Sequence, residues 1–341
     1  MKTILVTGGT GYIGSHTAVE LQNKGYNVII SDNLSNSSAD VIDRIEKITG
    51  VRPIFIKADL SKEQEVSVIF DTYHIDGVIN FAAFKAVGES VEKPIEYYMN
   101  NLQIAMNMFV NMKRKGVKYF VQSSSCTIYG EPDKNPINEN CPPKFAVSPY
   151  GNTKQMVEDM LHFITRDGLI QAIALRYFNP IGAHPTALIG ELPNGVPNNL
   201  MPFITQTAAG IRKELIVFGD DYPTPDGTCI RDYIHVVDLA KAHVVAMERC
   251  FECRNKINFE CFNIGTGNGF SVFDIIKSFE KTTGIKLNYR IGKRREGDVV
   301  AIWADTSLAE KELGWKAVLT LDEMTLSAWN WQKTLNKEKI L

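Results

Sequence analysis

The sequence predicts an α/β protein built on a doubly wound parallel sheet, with a second, smaller α/β domain for a substrate. Three observations indicate this fold. In the first half of the chain, short apolar runs alternate with helical patterns, as they do in a parallel sheet covered by helices. A glycine-rich turn follows the first apolar run. After Asn179 the alternation gives way to loops rich in proline and asparagine, which indicate a domain laid over the strand ends.

Composition places the chain among ordinary soluble globular proteins. Its 341 residues suffice for one large α/β domain or two smaller ones, and 44% hydrophobic with 22% charged residues is a typical balance. A formal net charge of −2 gives no general attraction to nucleic acid or to an anionic membrane. No apolar run reaches membrane-spanning length, and residues 1–7 lack the features of a signal peptide. We therefore expect a cytoplasmic protein with no nucleic-acid or membrane partner.

The six cysteines predict neither a disulfide framework nor a metal centre. Disulfides are rare in cytosolic proteins. Cys250 and Cys253 form one C-x-x-C pair, and a zinc site would have to complete its ligand set from Cys261 and His243. Without a second pair at ligand spacing we expect incidental thiols and no bound metal, and a role for Cys250 and Cys253 stays open.

The first strand, turn and helix predict a dinucleotide site. Residues 2–7 read as a strand, G-x-G-x-x-G follows, and a helical pattern runs from Ser15 to Lys24 before Gly25. The glycines allow a tight turn, and the helix N-terminus offers free N–H groups and a partial positive charge to a pyrophosphate. The residues expected to contact the cofactor here are Gly8, Gly11, Tyr12, Ile13 and Gly14.

Asp32 predicts which dinucleotide binds. It directly follows the strand 27–31 and lies 18 residues after Gly14, near the offset of the acid that binds the adenosine ribose. Since a carboxylate repels a 2′-phosphate, NAD is favoured over NADP. The alternative is a strand-end aspartate that caps a turn. Asn33, beside it, is a further cofactor candidate.

The next strands repeat the rhythm and end in further candidates. Residues 53–58, 77–81 and 118–123 read as strands, and 40–49, 62–73 and 94–115 as helices. Ligands of such sheets bind at the carboxyl ends of the strands. The cofactor candidates at or beyond these ends are Asp59, Leu60, Phe81, Ala82 and Lys85, with Asn100 in the long helix.

Ser125, Tyr150 and Lys154 predict proton-transfer chemistry. Ser125 follows the strand 118–123, where serines also occur merely as strand terminators. Tyr150 and Lys154 are four residues apart on a helix that begins after Pro149, so their side chains share one face. An ammonium group beside a phenol favours the phenolate and lowers its pKa, although this spacing also occurs by chance. Together with a dinucleotide, the three indicate a hydride-transfer enzyme with a phenolic base.

Segments along almost the whole chain make it similar to a known family. They are residues 7–14, 31–34, 84–90, 123–125, 150–154, 176–185, 197–202, 231–236 and 294–298. With these segments the sequence resembles the extended branch of the short-chain dehydrogenase/reductase superfamily and, within that branch, the UDP-galactose 4-epimerases. The resemblance implies a Rossmann-type NAD-binding domain and a UDP-sugar-binding domain.

This resemblance implies a reaction and roles for the three residues. UDP-galactose and UDP-glucose would be interconverted by transient oxidation at sugar C4 with tightly bound NAD, rotation of the 4-keto sugar and return of the hydride. Tyr150 would be the base for the 4-hydroxyl, Ser125 would hydrogen-bond it, and Lys154 would bind the nicotinamide ribose. Lys85 would contact the cofactor ribose or phosphate, and Phe178 is also implied at the cofactor.

The second half of the chain supplies the implied substrate residues, Asn179, Asn199, Leu200, Phe218, Arg231, Tyr233, Arg295, Asp298 and Ile302, which join Ser125. Guanidinium groups suit phosphate oxygens, so Arg231 and Arg295 are the implied diphosphate clamps. Phe218 would lie against the uracil. Asn199 would hold diphosphate at a helix N-terminus, unless it merely caps that helix. The resemblance also implies that Ile302 helps to set the size of the sugar pocket, and its intermediate size then implies UDP-glucose and UDP-galactose as the main pair, with slow turnover of UDP-N-acetylhexosamines.

Two alternatives remain at this stage. One is another NAD-dependent nucleotide-sugar enzyme, a 4,6-dehydratase or decarboxylase; the dehydratase needs an Asp-Glu pair where this chain has Cys126 and Thr127. The other is a non-catalytic NAD-sensing regulatory protein, against which the intact Ser125, Tyr150 and Lys154 argue. The predicted domains are interleaved, with residues 1–178 and about 235–264 binding NAD and residues 179–234 and about 265–341 binding the UDP-sugar. The resemblance also implies a homodimer built through two helices per subunit.

Overall fold

A computed structural model describes residues 1–295 and 297–338. Glu296 of the segment 294–298, and residues 339–341 at the end of the second predicted domain, lie outside the described residues. The strands, in chain order, are β1 Thr3–Thr7, β2 Asn27–Asp32, β3 Ile54–Lys57, β4 Gly77–Asn80, β5 Tyr119–Ser123, β6 Gln171–Tyr177, β7 Asn179–Ile181, β8 Leu215–Phe218, β9 Ile230–Arg231, β10 Tyr233–His235, β11 Phe259–Ile264, β12 Phe270–Ser271, β13 Tyr289–Gly292 and β14 Ala301–Ile302.

The helices alternate with the strands in the first half, and in the second half two or three strands separate each helix from the next. They are α1 Tyr12–Asn23, α2 Asp40–Thr49, α3 Glu63–Thr72, α4 Val87–Glu92, α5 Pro94–Lys115, α6 Pro149–Ile164, α7 Leu200–Ala208, α8 Val236–Phe251, α9 Val272–Thr283 and α10 Leu321–Glu338. None of the helices in the described part of the chain is long and apolar enough to cross a membrane.

Seven parallel strands form the central sheet in the order β11-β6-β5-β4-β1-β2-β3. The predicted doubly wound sheet is thereby confirmed. The strand order reverses at β1, whose neighbours are β4 and β2. A crevice therefore opens at the carboxyl ends of β1 and β4, where ligands of this architecture bind. Two apolar cores cover the sheet, one involving α1 and α8 and the other α3, α5 and α6.

A second group of elements has its own small sheets and core. β12, β9 and β14 form one sheet, and β13 pairs with β8. α7, α9 and α10 pack around Ile204, Ile275, Phe279 and Met324, which are buried. β11 returns to the central sheet after this excursion begins, pairing with β6.

The observed element bounds differ from the predicted ones in two informative places. α1 begins at Tyr12, three residues before the predicted Ser15, because Gly11 is its N-cap residue in extended conformation. The pattern of residues 305–315 predicts a short helix, and the structure has a shorter helical segment there, most of which is the π-helix Ala309–Leu313 that Gly314 ends in the left-handed conformation.

Candidate active site

The glycine turn joins β1 to α1 with very little space to spare. Gly8 has φ +64°, and a Cβ there would lie 2.8 Å from the backbone nitrogen of Ala82. A Cβ on Gly14 would lie 2.4 Å from the carbonyl oxygen of Gly8. Gly11 caps α1 without any side-chain hydrogen bond, so the first N–H groups of the helix, at Tyr12 and Ile13, stay free for an anion.

Asp32 is buried at the end of β2 and faces this turn. Its Oδ2 accepts a hydrogen bond from the Thr10 backbone N–H at 3.3 Å, and its Oδ1 accepts from Leu34 N at 2.9 Å and Ser37 Oγ at 3.1 Å. A carboxylate held beside a glycine turn and a free helix N-terminus suits the ribose and pyrophosphate of an unphosphorylated dinucleotide. The residues present therefore fit NAD. Asn33, beside it, accepts a hydrogen bond from Ser35 N at 3.0 Å.

The ends of β3 and β4 carry the remaining cofactor candidates. Asp59 Oδ1 accepts from the Ser61 hydroxyl at 2.7 Å, and the Leu60 side chain lies in the core, so only its backbone can face a ligand. Ala82 N donates to Thr7 Oγ1 at 3.3 Å, and the Phe81 ring lies 4.6 Å from that of His243.

Asn101 was missed by the sequence reasoning. Its side chain accepts from Phe84 N at 2.8 Å and donates to Phe84 O at 3.0 Å, which fixes the loop that carries Lys85. Asn100, the predicted neighbour, donates to Asn101 Oδ1 at 2.9 Å. The sequence does show two adjacent asparagines, Asn100 and Asn101, on one helix. Their spacing does not tell which of the two side chains points into the protein.

Tyr150 and Lys154 lie on the buried face of α6. The helix begins there because Pro149 occupies its first turn and Ser148 Oγ accepts a hydrogen bond from Gly151 N at 3.1 Å. Lys154 Nζ lies 5.7 Å from the centroid of the Tyr150 ring and donates to Ser123 O at 2.8 Å. The side chains are buried, with 8% of Tyr150 and 5% of Lys154 exposed.

The Ser125 hydroxyl accepts two hydrogen bonds from Thr127 and keeps its own hydrogen free to be donated. Its Oγ accepts from Thr127 N at 3.2 Å and from Thr127 Oγ1 at 3.0 Å. A hydroxyl has two acceptor sites and one donor, so its own hydrogen is left for another partner. The Ser125 hydroxyl also lowers the pKa of Tyr150, which indicates that the two groups interact.

Burial dominates the titration of the Tyr150–Lys154 pair. It raises the pKa of Tyr150 well above its ordinary value, against the effect of Ser125. Burial likewise lowers the pKa of Lys154 to about 8, with Glu158 opposing the shift. The sequence argument that Lys154 lowers the phenol pKa is therefore not met by the chain alone, because desolvation of the phenolate has the largest effect on the pKa of Tyr150.

Glu158 and Arg176 form a buried ion pair behind this set, which the sequence reasoning missed. Glu158 Oε2 lies 2.6 Å from Arg176 Nη2, and Glu158 Oε1 accepts from Ser124 Oγ at 2.5 Å. Arg176 Nη1 also donates to the Tyr129 hydroxyl at 2.9 Å. The only sequence signal is that Glu158 follows Lys154 by four residues, on the same helix face.

Arg231, Asp298 and Ile302 come together in the second group of elements. Ile302 of β14 pairs with Arg231 of β9. Arg231 Nη2 lies 3.5 Å from Asp298 Oδ1, and Arg231 Nη1 donates to Val299 O at 2.6 Å. Ile302 is buried with Phe178 in one apolar cluster. These residues can form one wall of a substrate site.

The other substrate candidates vary in exposure. Arg295 is exposed and forms no salt bridge with any described residue, whereas the adjacent Arg294 pairs with Asp221 at 2.7 Å. Tyr233 is buried, and Asn179 N donates to Asp232 O at 3.0 Å.

Asn199 is the N-cap residue of α7 but makes no capping hydrogen bond. The simple capping role that the sequence allowed is therefore not observed. Leu200 begins α7, and Phe218 ends β8 with 45% of its surface exposed. No hydrogen bond among the described residues joins Asn199 or Phe218 to Tyr150.

Asp232 is a further residue that the sequence reasoning missed. The buried carboxylate accepts from Thr266 N at 2.8 Å, Gly267 N at 3.1 Å and Ala304 N at 3.2 Å. These hydrogen bonds fix the end of β9, where Arg231 precedes Asp232, relative to the loop that follows β11. Within the described ranges, no group of three or more possible metal ligands is present.

Comparisons with known proteins bear on the whole chain. The model of the NAD-dependent epimerase/dehydratase family matches residues 4–265. UDP-glucose 4-epimerase of Bacillus subtilis is 50% identical over 332 residues, which cover 97% of each chain. A crystal structure of the Stenotrophomonas maltophila UDP-glucose 4-epimerase with bound NAD and formylated UDP-arabinopyranose has a TM-score of 0.96 and 46% identity, covering 99% of this chain and 100% of that one. The Bifidobacterium longum enzyme in complex with NAD+ and UDP has a TM-score of 0.93 and 48% identity, covering 98% of each chain.

Proposed function

This chain belongs to the NAD-dependent epimerase/dehydratase family, and from that premise we propose that it is an isomerase that interconverts UDP-galactose and UDP-glucose. One observation carries the proposal. Half of the residues are identical to a UDP-glucose 4-epimerase over 97% of both chains, and the segment that matches includes the buried Ser125, Tyr150 and Lys154. The reaction has no net redox change, so a tightly held cofactor serves every turnover.

NAD is the cofactor of this reaction, and the chain's own groups suit it. The glycine turn and the free N-terminus of α1 would hold the pyrophosphate, and Asp32 the adenosine ribose. Lys154, with Lys85 near the phosphates, would meet the nicotinamide half. When bound, NAD supplies the hydride acceptor at sugar C4 and, once reduced, the hydride donor.

Tyr150 moves the proton in this proposal. It takes the proton of the sugar 4-hydroxyl as C4 is oxidised, and it returns that proton when C4 is reduced on its other face. The Ser125 hydrogen, which meets no other acceptor among residues 1–295 and 297–338, is available to the same oxygen. Since burial keeps Tyr150 neutral in the chain alone, its function as a base requires positive charge nearby, of which Lys154 supplies one part.

The substrate side combines firm nucleotide anchors with few groups for the sugar. Arg231 and Arg295 would bind the diphosphate, Asn199 and Leu200 the same region, and Phe218 the uracil; Asn179, Tyr233 and Asp298 complete the implied set. Ile302 would border the hexose, with Phe178 behind it. Firm nucleotide binding and loose sugar binding together let the 4-keto sugar rotate.

One experiment tests the proposal directly. Purified protein is incubated with UDP-galactose without added NAD, the products are separated, and the cofactor is then released by denaturation and identified. We expect UDP-glucose at equilibrium and about one NAD per chain. A 4-keto-6-deoxy product would favour the dehydratase alternative, and tightly bound NAD without any turnover would favour the NAD-sensing one.

We further propose the cellular and structural setting of this activity. The protein would act in the cytoplasm as a homodimer, and its chain would divide into interleaved NAD-binding and UDP-sugar-binding domains, with residues 1–178 and about 235–264 in the first. The return of β11 to the central sheet supports the interleaving. Exposed apolar side chains along α5 support the dimer.

A further inference from the structure

Glu191 is a half-buried carboxylate that no motif of the sequence singles out. It lies just after the bridge between Ala183 and Gly190, in the segment that leads from β7 to α7. Its carbonyl oxygen accepts a hydrogen bond from Trp331 Nε1 at 2.9 Å, and a Cβ on Gly190 would lie 2.4 Å from the Trp331 ring. Because the backbone packs this closely against α10, the position of Glu191 is fixed.

The side chain of Glu191 binds that of Asn199. Asn199 Nδ2 donates to Glu191 Oε1 at 2.6 Å. A carboxylate can only accept hydrogen bonds, so it requires the NH₂ group of Asn199 to face it and turns the amide oxygen the other way. Asparagine at an N-cap ordinarily accepts from its own helix, yet Asn199 makes no such bond in α7. Glu191 therefore decides how Asn199 is oriented.

The second carboxylate oxygen of Glu191 is in an environment that does not stabilise it. Oε2 is buried without a hydrogen-bond partner among the described residues, beside a cavity of about 20 Å³. A buried carboxylate oxygen without a partner is unfavourable. Burial raises the pKa of Glu191, and the charge of Lys85 and the bond from Asn199 oppose that rise. The side-chain hydrogen bond that the described residues give Glu191 is therefore the one to Asn199, a substrate candidate.

We propose that Glu191 is a positioning residue that holds the Asn199 amide in the orientation that binds the UDP moiety. This inference rests on the proposed function and adds a residue to its substrate side. Glu191 acts through Asn199 and does not itself touch the substrate.

The test compares the dissociation constant of UDP, measured by titration calorimetry on the NAD-containing protein. Replacing Glu191 by Ala removes the acceptor, and we expect binding about tenfold weaker, as for the loss of one charge-assisted hydrogen bond. Asn199→Ala should weaken binding by a similar factor, and the double variant should be no weaker than Asn199→Ala alone. Glu191→Gln keeps an acceptor for Asn199 Nδ2 and should stay within about twofold of wild type.

Two further variants separate positioning from folding. Glu191→Asp keeps the charge but withdraws the acceptor by one methylene, so we expect it to weaken UDP binding like the alanine variant while the NAD content stays normal. Asn194→Ala changes an exposed residue of the same loop and should leave UDP binding and melting temperature unchanged.

Several results would overturn the inference. They are wild-type affinity in both Glu191→Ala and Glu191→Asp, a double variant weaker than Asn199→Ala by the full additional factor, or loss of bound NAD as the main effect. A wild-type protein that binds no UDP would refute the proposed function itself, whereas normal wild-type binding with unaffected variants would refute only the role of Glu191.

Discussion

Tyr150 has to change its protonation state twice in each proposed turnover, and its surroundings oppose the first change. Burial raises the pKa of the phenol, while the Ser125 hydroxyl lowers it. The charge that makes the phenolate accessible must therefore come from groups that approach the ring, of which Lys154 is one. Tyr150→Phe keeps the ring and removes the proton acceptor.

For Tyr150→Phe we expect the rate of UDP-galactose conversion to fall by about 10²–10⁴, as for the loss of a general base, with bound NAD retained. Product formation and released NAD are measured on the same preparation. Tyr289→Phe, at an exposed tyrosine of β13, is the matched control and should behave as wild type. Activity of Tyr150→Phe within tenfold of wild type would contradict the proposed base.

The pKa of Lys154 should determine how kcat/KM changes with pH on the alkaline side. Its pKa is lowered to about 8 by burial, so the ammonium that favours the phenolate is present below that pH and lost above it. We expect kcat/KM, which reports the free enzyme, to fall as the pH rises through about 8. Arginine stays protonated, so Lys154→Arg should move this limb upward even if its rate is lower. A wild-type profile that stays level to about pH 10 would contradict this prediction.

The size of the Ile302 side chain should limit the size of the sugar that the enzyme accepts. The side chain is buried beside Phe178 and pairs along the backbone with Arg231. We expect UDP-glucose to be converted faster than UDP-N-acetylglucosamine by the wild type. Ile302→Ala should raise the relative rate on the N-acetylated sugar and Ile302→Tyr should lower it, with Ile302→Val as the control of nearly conserved volume. Equal wild-type rates on the two sugars would contradict the expected order.

At the scale of elements, α6 carries the reacting groups and their support on one face. Tyr150, Lys154 and Glu158 follow at intervals of four residues, and Glu158 reaches Arg176 on β6. This pair ties the helix to the sheet. Both partners are buried, so removal of one leaves an uncompensated charge in the interior.

For Glu158→Gln we expect the free energy of unfolding to fall by about 3–5 kcal/mol, because Arg176 then stays buried without its carboxylate. Urea unfolding followed by circular dichroism measures it. Asp43→Asn, which breaks the exposed pair with Arg52, should cost less than about 1 kcal/mol. Similar losses in the two variants would show that burial does not set the value of the Glu158–Arg176 pair.

The elements themselves could be predicted wherever the signal is local. The glycine turn and Asp32 can be predicted from a stretch of about thirty residues. Ser148 and Pro149 likewise indicate where α6 begins. Glu158, Asp232 and Glu191 could not be predicted, because their roles depend on partners brought together by the fold. Asp232 and Ala304 are 72 residues apart, and Glu191 lies in a loop without a periodic pattern. The burial of Tyr150 could not be predicted from the sequence either. For this reason its pKa is raised in the chain alone, whereas the sequence argument expected it to be lowered.

At the scale of the whole molecule, α5 presents an apolar stripe to the surroundings. Ile95, Met99, Met106 and Val110 are between 41% and 69% exposed, and their spacing places them along one side of the helix. Phe163 of the neighbouring α6 is also exposed. A second copy of the chain that packs on these two helices would cover the stripe.

We expect the wild type to behave as a dimer in size-exclusion chromatography with light scattering. Met99→Glu places a charge in the middle of the stripe and should shift the protein toward the monomer, because a charge is costly to bury in an apolar interface. Val318→Glu, at a residue that is 71% exposed elsewhere on the surface, is the matched control and should leave the mass unchanged. A wild-type monomer, or a dimer that is insensitive to Met99→Glu, would contradict the proposed interface.

The position of β11 in the sheet has a consequence for how the protein is made. This strand covers the edge of β6, yet it comes from residues 259–264, late in the chain. On the ribosome, β6 is synthesised some eighty residues before its neighbour, so a nascent or truncated chain that stops in between carries a long, bare strand edge. Such an edge is a ready template for pairing with other chains. A premature stop anywhere between residues 178 and 258 therefore yields a fragment inclined to aggregate rather than a functional half.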